Sequence, residues 1–365
     1  MKFSINQSEL QNAISVVYKG ISTRSTLPIL SGILLSAQGD VLMLHATDLE
    51  LSVQYKVNTL IEEEGQVVVP GKLFLEIVKS LPDAAVSLEL FEQQLTVVCD
   101  NSSFSIKTLN AQDFPAFPTV EAQQTIKIPF AIFSSMVKKV ARVVSKDESR
   151  PILTGILLTR EENHLKMVAT DSYRLAIVDT DTEQYQDEMF EAVISGSFLQ
   201  DIASLPKTED DVSLALSENQ IVVQYQNTIF VNRRLEGTFP NYQQLLPEAY
   251  TTRVSLNNAE FISVVKRISL IDTKTTPIKF DINIDSQTLQ ISSAAQDIGS
   301  AQGILPCEII GENNQIAFNY AYILDGLSSV EESKLFLEIQ NSTKPGIFKT
   351  ETAEKFLYLI MPVRI

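Results

Sequence analysis

The chain has 365 residues, 44% of them hydrophobic, and carries 29 Lys and Arg against 45 Asp and Glu, a formal net charge of −16. That length and apolar content exclude a disordered chain and lead us to expect two or three domains, while no stretch approaches the ~20 consecutive apolar residues of a membrane helix. The acidic balance excludes a protein that grips nucleic acid over its whole surface, because phosphate contact is driven by Lys and Arg displacing counterions; any DNA contact is expected to be local.

The start, MKFSINQSEL, has no apolar core and no small-residue cleavage site, so a cytoplasmic location is expected. SELQNAISVVYK then reads as an amphipathic helix behind a Ser8 cap, with Leu10, Ile14 and Val17 at helical spacing. PILSGILL from Pro28 and GDVLMLHATDLELSVQYKV follow as strand runs, PGKLFLEIVKSL as a second helix, and VSLELFEQQLTVVCDN and SFSIKTLN as further strands. TLNAQDFP closes this series at Pro115.

The series then repeats. IPFAIFSSMVKKVARVV is the next helix, PILTGILL starts at Pro151, 123 residues after PILSGILL, and VATDSYRLAI echoes HATDLELSV. AVISGSFLQDIASLPK answers VVVPGKLFLEIVKSLPD, and RRLEGTFP ends the second series at Pro240. A third, diverged copy runs through LNNAEFISVVKRISLI, TTPIKFDINI and IAFNYAYILDGLSSVEE to LYLIMP at Pro362. The expectation is an α+β chain of three repeated domains, 1–122, 123–250 and 251–365, each with two helices packed on antiparallel sheet.

Catalytic groups are sparse. The two histidines, His45 and His164, sit in or beside strand runs, and no Gly-rich phosphate loop occurs. Cys99 and Cys307 are expected to be buried free thiols. The acidic runs Glu62–Glu64 and Glu209–Asp211 read as solvated turns between strands, and Asp48 and Asp171 as Asx turns bonding their own backbone. We therefore expect no catalytic residues, no metal, no cofactor and no enzyme activity. A basic subset does recur on equivalent helices: Lys19, Arg24, Lys72 and Lys79 in the first copy, Lys138, Lys139 and Arg142 in the second, Lys266 and Arg267 in the third.

From MKF to MPVRI, through TLPILSGILL, TDLELSV, ATDSYRLAI, RRLEGTFPNY and FNYAYILDGL, the sequence resembles the bacterial sliding-clamp family, the β subunits of replicative DNA polymerase III. The resemblance implies a clamp fold of three similar domains and a head-to-tail homodimeric ring around double-stranded DNA, with helices lining the hole. It implies sequence-independent DNA contact through Arg24, Lys72, Lys138, Lys139, Arg142, Arg150, Lys266 and Arg267. It also implies a peptide-binding cleft between the second and third domains, taking short motifs of the polymerase III α subunit, the clamp loader, other polymerases and repair proteins. By motif, that cleft uses Leu153, Thr170, Tyr173, Arg174 and Leu175, then Pro240 and Leu245, then Asn319 and Tyr322, and finally Met361, Pro362, Val363 and Arg364. The subunit interface is expected at Phe104 and Ile106 on one side and Leu270 and Ile271 on the other.

The sequence departs from the family at Tyr173, where some members carry histidine, at Ser172, where glycine is common, and at Gln244, where some have arginine. SGS at 195–197 replaces the PGK of the first copy, leaving that helix without a basic start. Two other readings remain open at this stage: a nuclease or polymerase accessory with its own chemistry, and a peptide-binding scaffold without a DNA role.

Overall fold

The computed structural model describes residues 1–22, 27–161, 164–181, 189–271, 277–295 and 298–364. The predicted helices form as α1 (Gln7–Val17), α2 (Gly71–Ser80), α3 (Phe130–Val140), α4 (Gly196–Ala203), α5 (Asn258–Ile268) and α6 (Tyr320–Leu327). In α1 the buried positions are Leu10, Ala13, Ile14 and Val17 with Gln7, the stripe that helical spacing requires. Its cap is Asn6 and not Ser8: the Asn6 Oδ1 accepts the Ser8 N–H at 2.9 Å. Asn257 caps α5 in the same way, through the Glu260 N–H at 3.1 Å.

The chain divides into two compact units, one of residues 1–131 and 205–234, the other of residues 132–204 and 235–365. The first holds a five-stranded sheet, in the order Leu60–Glu63, Lys2–Asn6, Ala85–Phe91, Gln94–Cys99, Ser102–Lys107. Leu60–Glu63 is thus an edge strand rather than a turn, and Glu62 pairs there with Lys2 at 3.0 Å. The unit's other sheet has eight strands. Four come from the first repeat (Gly65–Pro70, Gly32–Gln38, Val41–Thr47, Leu51–Asn58) and four from the second (Thr228–Arg233, Gln220–Tyr225, Asp211–Leu216, Gln124–Pro129). They join where Leu51–Asn58 pairs antiparallel with Thr228–Arg233, Val53 opposite Phe230. Asp211 opens one of these strands and so lies outside the predicted turn.

The second unit repeats this plan. Its nine-stranded sheet takes Phe190–Ser195, Gly155–Glu161, His164–Thr170 and Arg174–Asp181 from the second repeat and continues into Lys355–Ile360, Gly346–Lys349, Lys334–Ile339, Thr252–Asn257 and Glu308–Gly311 of the third. The seam is again antiparallel, Leu175 opposite Leu359 and Ile177 opposite Leu357. A four-stranded sheet completes the unit in the order Gly299–Pro306, Thr288–Ala295, Ile278–Asn283, Asn314–Phe318. Each sheet of eight or nine strands therefore crosses a repeat boundary, because pairing two repeats edge to edge satisfies backbone N–H and C=O groups that either alone would leave open.

His45 is buried, its ring edge-on to Phe114 and Phe117 at 5.0 and 5.1 Å, and burial pushes its pKa down to about 4. His164 lies instead at a strand start between Asp179 and Asp181, 3.1 Å from each. Cys99 is buried and Cys307 only half-buried, both as free thiols.

Candidate functional site

The Thr-Asp motif of the second repeat builds a tight turn between the strands His164–Thr170 and Arg174–Asp181. The Thr170 Oγ1 accepts the Ser172 N–H at 3.2 Å and donates to the Arg174 carbonyl at 2.7 Å. Asp171 Oδ1 accepts the N–H groups of Tyr173 and Arg174 at 2.9 and 3.1 Å, the Asx turn expected for this motif. Ser172 is forced to φ 80°, a left-handed backbone that glycine adopts more readily.

Arg174 leaves this turn and is buried. Its Nε donates to the second Asp171 oxygen at 2.9 Å, one Nη to Asp325 at 2.9 Å and the other to the Arg142 carbonyl at 3.0 Å. Its guanidinium carbon lies 4.5 Å from the Tyr322 ring centroid. Burial penalises its charge, but Tyr358, Asp171 and Asp325 reverse that penalty and hold the guanidinium firmly protonated. Burial likewise pushes the Tyr358 phenol well up, and its hydroxyl donates to the Tyr322 carbonyl at 2.7 Å. The Tyr173 ring stacks on Tyr322, centroids 6.4 Å apart.

The C-terminal segment is threaded alongside. The Met361 N–H donates to the Tyr173 carbonyl at 2.9 Å and the Val363 N–H to the Ala317 carbonyl at 2.8 Å. On the opposite face of the sheet from Arg174 and Tyr358 lies an apolar cluster of Leu157, Val168, Leu175, Ile177, Val193, Ile347 and Leu359, against which Ile152, Leu235, Phe239 and Tyr242 pack. Tyr173, Pro240, Leu245, Met361, Val363 and Arg364 are exposed, and Tyr322 and Pro362 half-buried. Leu153, Thr170 and Leu175 are buried, forming floor and frame rather than open surface. Asn319 caps α6, its Oδ1 accepting the Ala321 N–H at 2.9 Å. The result is a set of exposed apolar and aromatic side chains, Tyr173, Leu245, Met361 and Val363, with the apolar cluster on one face of the sheet and the buried Arg174 on the other, chemistry suited to anchoring side chains of a short peptide. Among the described residues no group of His, Cys, Asp and Glu could hold a metal ion.

The basic set divides. Lys72, Lys138, Arg142, Lys266 and Arg267 are exposed on or just after their helices. Arg150 is exposed but engaged, donating to Asp147 at 2.9 Å and to the Ser172 hydroxyl at 3.0 Å. Arg24 lies outside the described residues. Lys139 is a correction: it is 4% exposed and its Nζ meets Glu332 at 2.7 Å and Glu354 at 2.6 Å, so it is not available to a phosphate. Burial alone would lower its pKa, but the hydrogen bonds and charge of the two glutamates outweigh it and the ammonium is held above its usual range. Helical spacing put Lys139 beside exposed Lys138 and could not reveal carboxylates some two hundred residues away.

On the interface residues the outcome is mixed. Ser102–Lys107 is an open sheet edge with Phe104 half-buried, and Leu270 is 82% exposed with Ile271 half-buried. Ile106 is a correction, being 2% exposed and turned into its own core. Sequence reasoning missed the edge strand Gly299–Pro306, with exposed Ile304; it also missed Asp325, Tyr358, Glu332 and Glu354 as partners of Arg174 and Lys139. Only the alternating strand pattern around Ile304 was available as a signal for the former, and none for the latter.

Family models for the DNA polymerase III beta subunit match in tandem: the N-terminal domain at residues 1–118, the central domain at 127–241 and the C-terminal domain at 243–364. The beta sliding clamp of Synechocystis sp. is 33% identical over 390 aligned residues, covering all of both chains. The crystal structure of the DNA polymerase sliding clamp from Bacillus subtilis matches with a TM-score of 0.93 at 29% identity, covering 100% of this chain and 99% of that one. A DnaN sliding clamp from Pseudomonas aeruginosa bound to griselimycin matches with a TM-score of 0.93 at 25% identity over 100% of both chains. With three tandem domain matches over a repeated α+β fold, the chain belongs to the DNA polymerase III beta subunit family, the beta sliding clamps, non-catalytic processivity subunits of the replicative polymerase.

Proposed function

We propose that this chain is a head-to-tail homodimer of three domains per subunit, 1–122, 123–250 and 251–365, closing a cytoplasmic ring around duplex DNA. The observation that carries this reading is the repeated seam. In both large sheets the last strand of one repeat (Thr228–Arg233, Lys355–Ile360) pairs with the fourth strand of the repeat before it (Leu51–Asn58, Arg174–Asp181). The last strand of the first repeat, Ser102–Lys107, has an open edge, and so does Gly299–Pro306, the corresponding fourth strand of the last repeat. Those are the two halves of the same seam. A second copy supplies the missing half at each end, and a head-to-tail contact that closes gives a ring rather than a fibre. Phe104, Leu270 and Ile304 flank these edges.

The ring slides because its DNA contacts are few and carry no base readout: Lys72, Lys138, Arg142, Lys266 and Arg267, with Arg24, in a subunit of net charge −16. The surface at Tyr173, Leu245 and Met361 takes short peptides of the polymerase α subunit, the clamp loader and other polymerases and repair proteins, tethering them to the moving ring. The P. aeruginosa relative with griselimycin bound supports a ligand site in this family.

The solution mass tests the ring: the 40.6 kDa subunit runs at about twice that value, and a monomer would overturn closure. Loading on nicked circular DNA tests sliding. The protein stays on the circle in high salt and is lost on linearisation. If neutralising Lys138, Arg142, Lys266 and Arg267 together leaves clamp-dependent synthesis on a primed circle unchanged, the scaffold reading without a DNA role replaces this one.

A further inference from the structure

We propose that the peptide cleft continues along one face of the nine-stranded sheet into a lysine-rimmed groove that receives an acidic residue of the bound peptide, about four residues from its apolar anchor. The inference rests on the cleft assignment above and extends it.

The register of the seam carries it. Along the paired strands Arg174–Asp181 and Lys355–Ile360, Leu175 faces Leu359, Ile177 faces Leu357 and Asp179 faces Lys355. Alternate residues share a face, so these three pairs form one row leading away from the cleft floor. Exposure rises at its far end: Leu175, Leu359 and Ile177 are buried, Leu357 is half-buried and Lys355 is exposed. The flanking strands match, with Lys166 opposite Asp179 and Lys349 opposite Leu357. Tyr242 and Leu246 wall the row, and the groove they enclose has a volume of about 350 Å³, room for one or two side chains.

The apolar row that begins at Leu175 and Leu359 thus ends, on the same face, at three lysines. Asp179 is occupied by Lys166 at 3.6 Å and by His164 at 3.1 Å, and Lys349 by Glu338. Among the described residues Lys355 makes no ion pair, so it is free to meet an incoming carboxylate. The two acids set among the lysines oppose a phosphate backbone, whereas one carboxylate beside Lys355 is matched in charge. At ~3.4 Å per residue, the Asp179/Lys355 pair lies about 14 Å from Leu175/Leu359, a span an extended peptide covers in four residues.

The experiment measures binding of fluorescein-labelled extended peptides to the full-length protein by polarisation. Each peptide carries a Leu-Phe anchor, the leucine for the apolar floor and the phenylalanine for the Tyr173/Tyr322 walls. A single Asp or Asn is placed two, four or six residues away on either side. The Asp peptide at four residues binds about three- to fivefold tighter than its Asn twin, the scale of an exposed ion pair. The difference shrinks in 0.5 M salt and vanishes in Lys355→Gln combined with Lys166→Gln, while the Asn peptide binds that variant as before. Griselimycin serves as the control for the cleft itself. If griselimycin and both peptides bind but Asp and Asn do not differ at any spacing, the groove extension is wrong and the cleft stands; if none of them binds, the cleft assignment falls and the extension with it.

Discussion

The chain contains the same turn twice, once between strands of each large sheet, and the two copies do different work. In the first repeat the Thr47 Oγ1 accepts the Leu49 N–H at 3.1 Å, and Asp48 Oδ1 accepts the N–H groups of Glu50 and Leu51 at 3.0 and 2.7 Å. The second repeat reproduces these bonds from Thr170 and Asp171, and the strained residue follows suit, Leu49 at φ 78° and Ser172 at φ 80°. What changes is the cargo. Leu51 and Ser52 become Arg174 and Leu175, and the strand residue below, His45, becomes Val168. On the helix above, Val16 becomes Lys139. The first repeat closes over His45 with Phe114 and Phe117, and the second packs Phe239 and Tyr242 over an apolar cluster that holds Val168 and Leu175, while on its other face it buries Arg174 beneath Tyr322. A backbone device that depends on Thr and Asp alone is indifferent to its neighbours, so a repeat can be respecialised by side chains without being rebuilt.

The sharpest way to break the comparison is at the charged positions found only in the second repeat. Lys139→Ala strands Glu332 and Glu354 and is expected to cost about 3–5 kcal/mol in urea unfolding. Val16→Ala, at the equivalent half-buried site, is expected to cost about 1 kcal/mol. Similar costs at the two sites would mean the ion triad contributes nothing beyond packing. Next in size is Arg174→Ala, which leaves Asp171 without its partner and removes the cation beneath Tyr322. A loss of about 3 kcal/mol in urea unfolding is expected, against about 1 kcal/mol for Leu51→Ala at the equivalent position.

His45 sharpens the contrast from the other side. Its folded pKa of about 4 lies below the ordinary 6.5, so between those values the unfolded chain takes up a proton that the fold excludes. Stability is therefore full above pH 6.5 and falls as pH drops toward 4, by up to about 3 kcal/mol at the low end. His45→Val, which copies Val168, flattens that slope between pH 7 and 4.5; an unchanged slope would assign the acid sensitivity elsewhere. The smallest effect is the most symmetrical: Leu49→Gly and Ser172→Gly each relieve a left-handed residue and are expected to gain about 0.5 kcal/mol after glycine's entropy is counted. A gain at one turn only would show that side-chain contacts, and not the shared backbone, set the strain.

The sequence by itself determined the triple repeat, which its self-similarity displays, and the helices and Thr-Asp turns, because these rest on bonds or periodicities within a few residues; the cleft was legible only through the family resemblance. Asp171 reaches N–H groups two and three positions on, and Leu10, Ile14 and Val17 declare a buried stripe at once. Tertiary structure alone decided that Lys139 is a buried tie, that Arg174 rests on Asp325, that the sheets run through the repeat boundaries, and that Ser102–Lys107 and Gly299–Pro306 both lie at sheet edges. A charge shows its type in the sequence but not its partner: Glu332 lies 193 residues from Lys139, and only folding sets the desolvation that makes the pair compulsory.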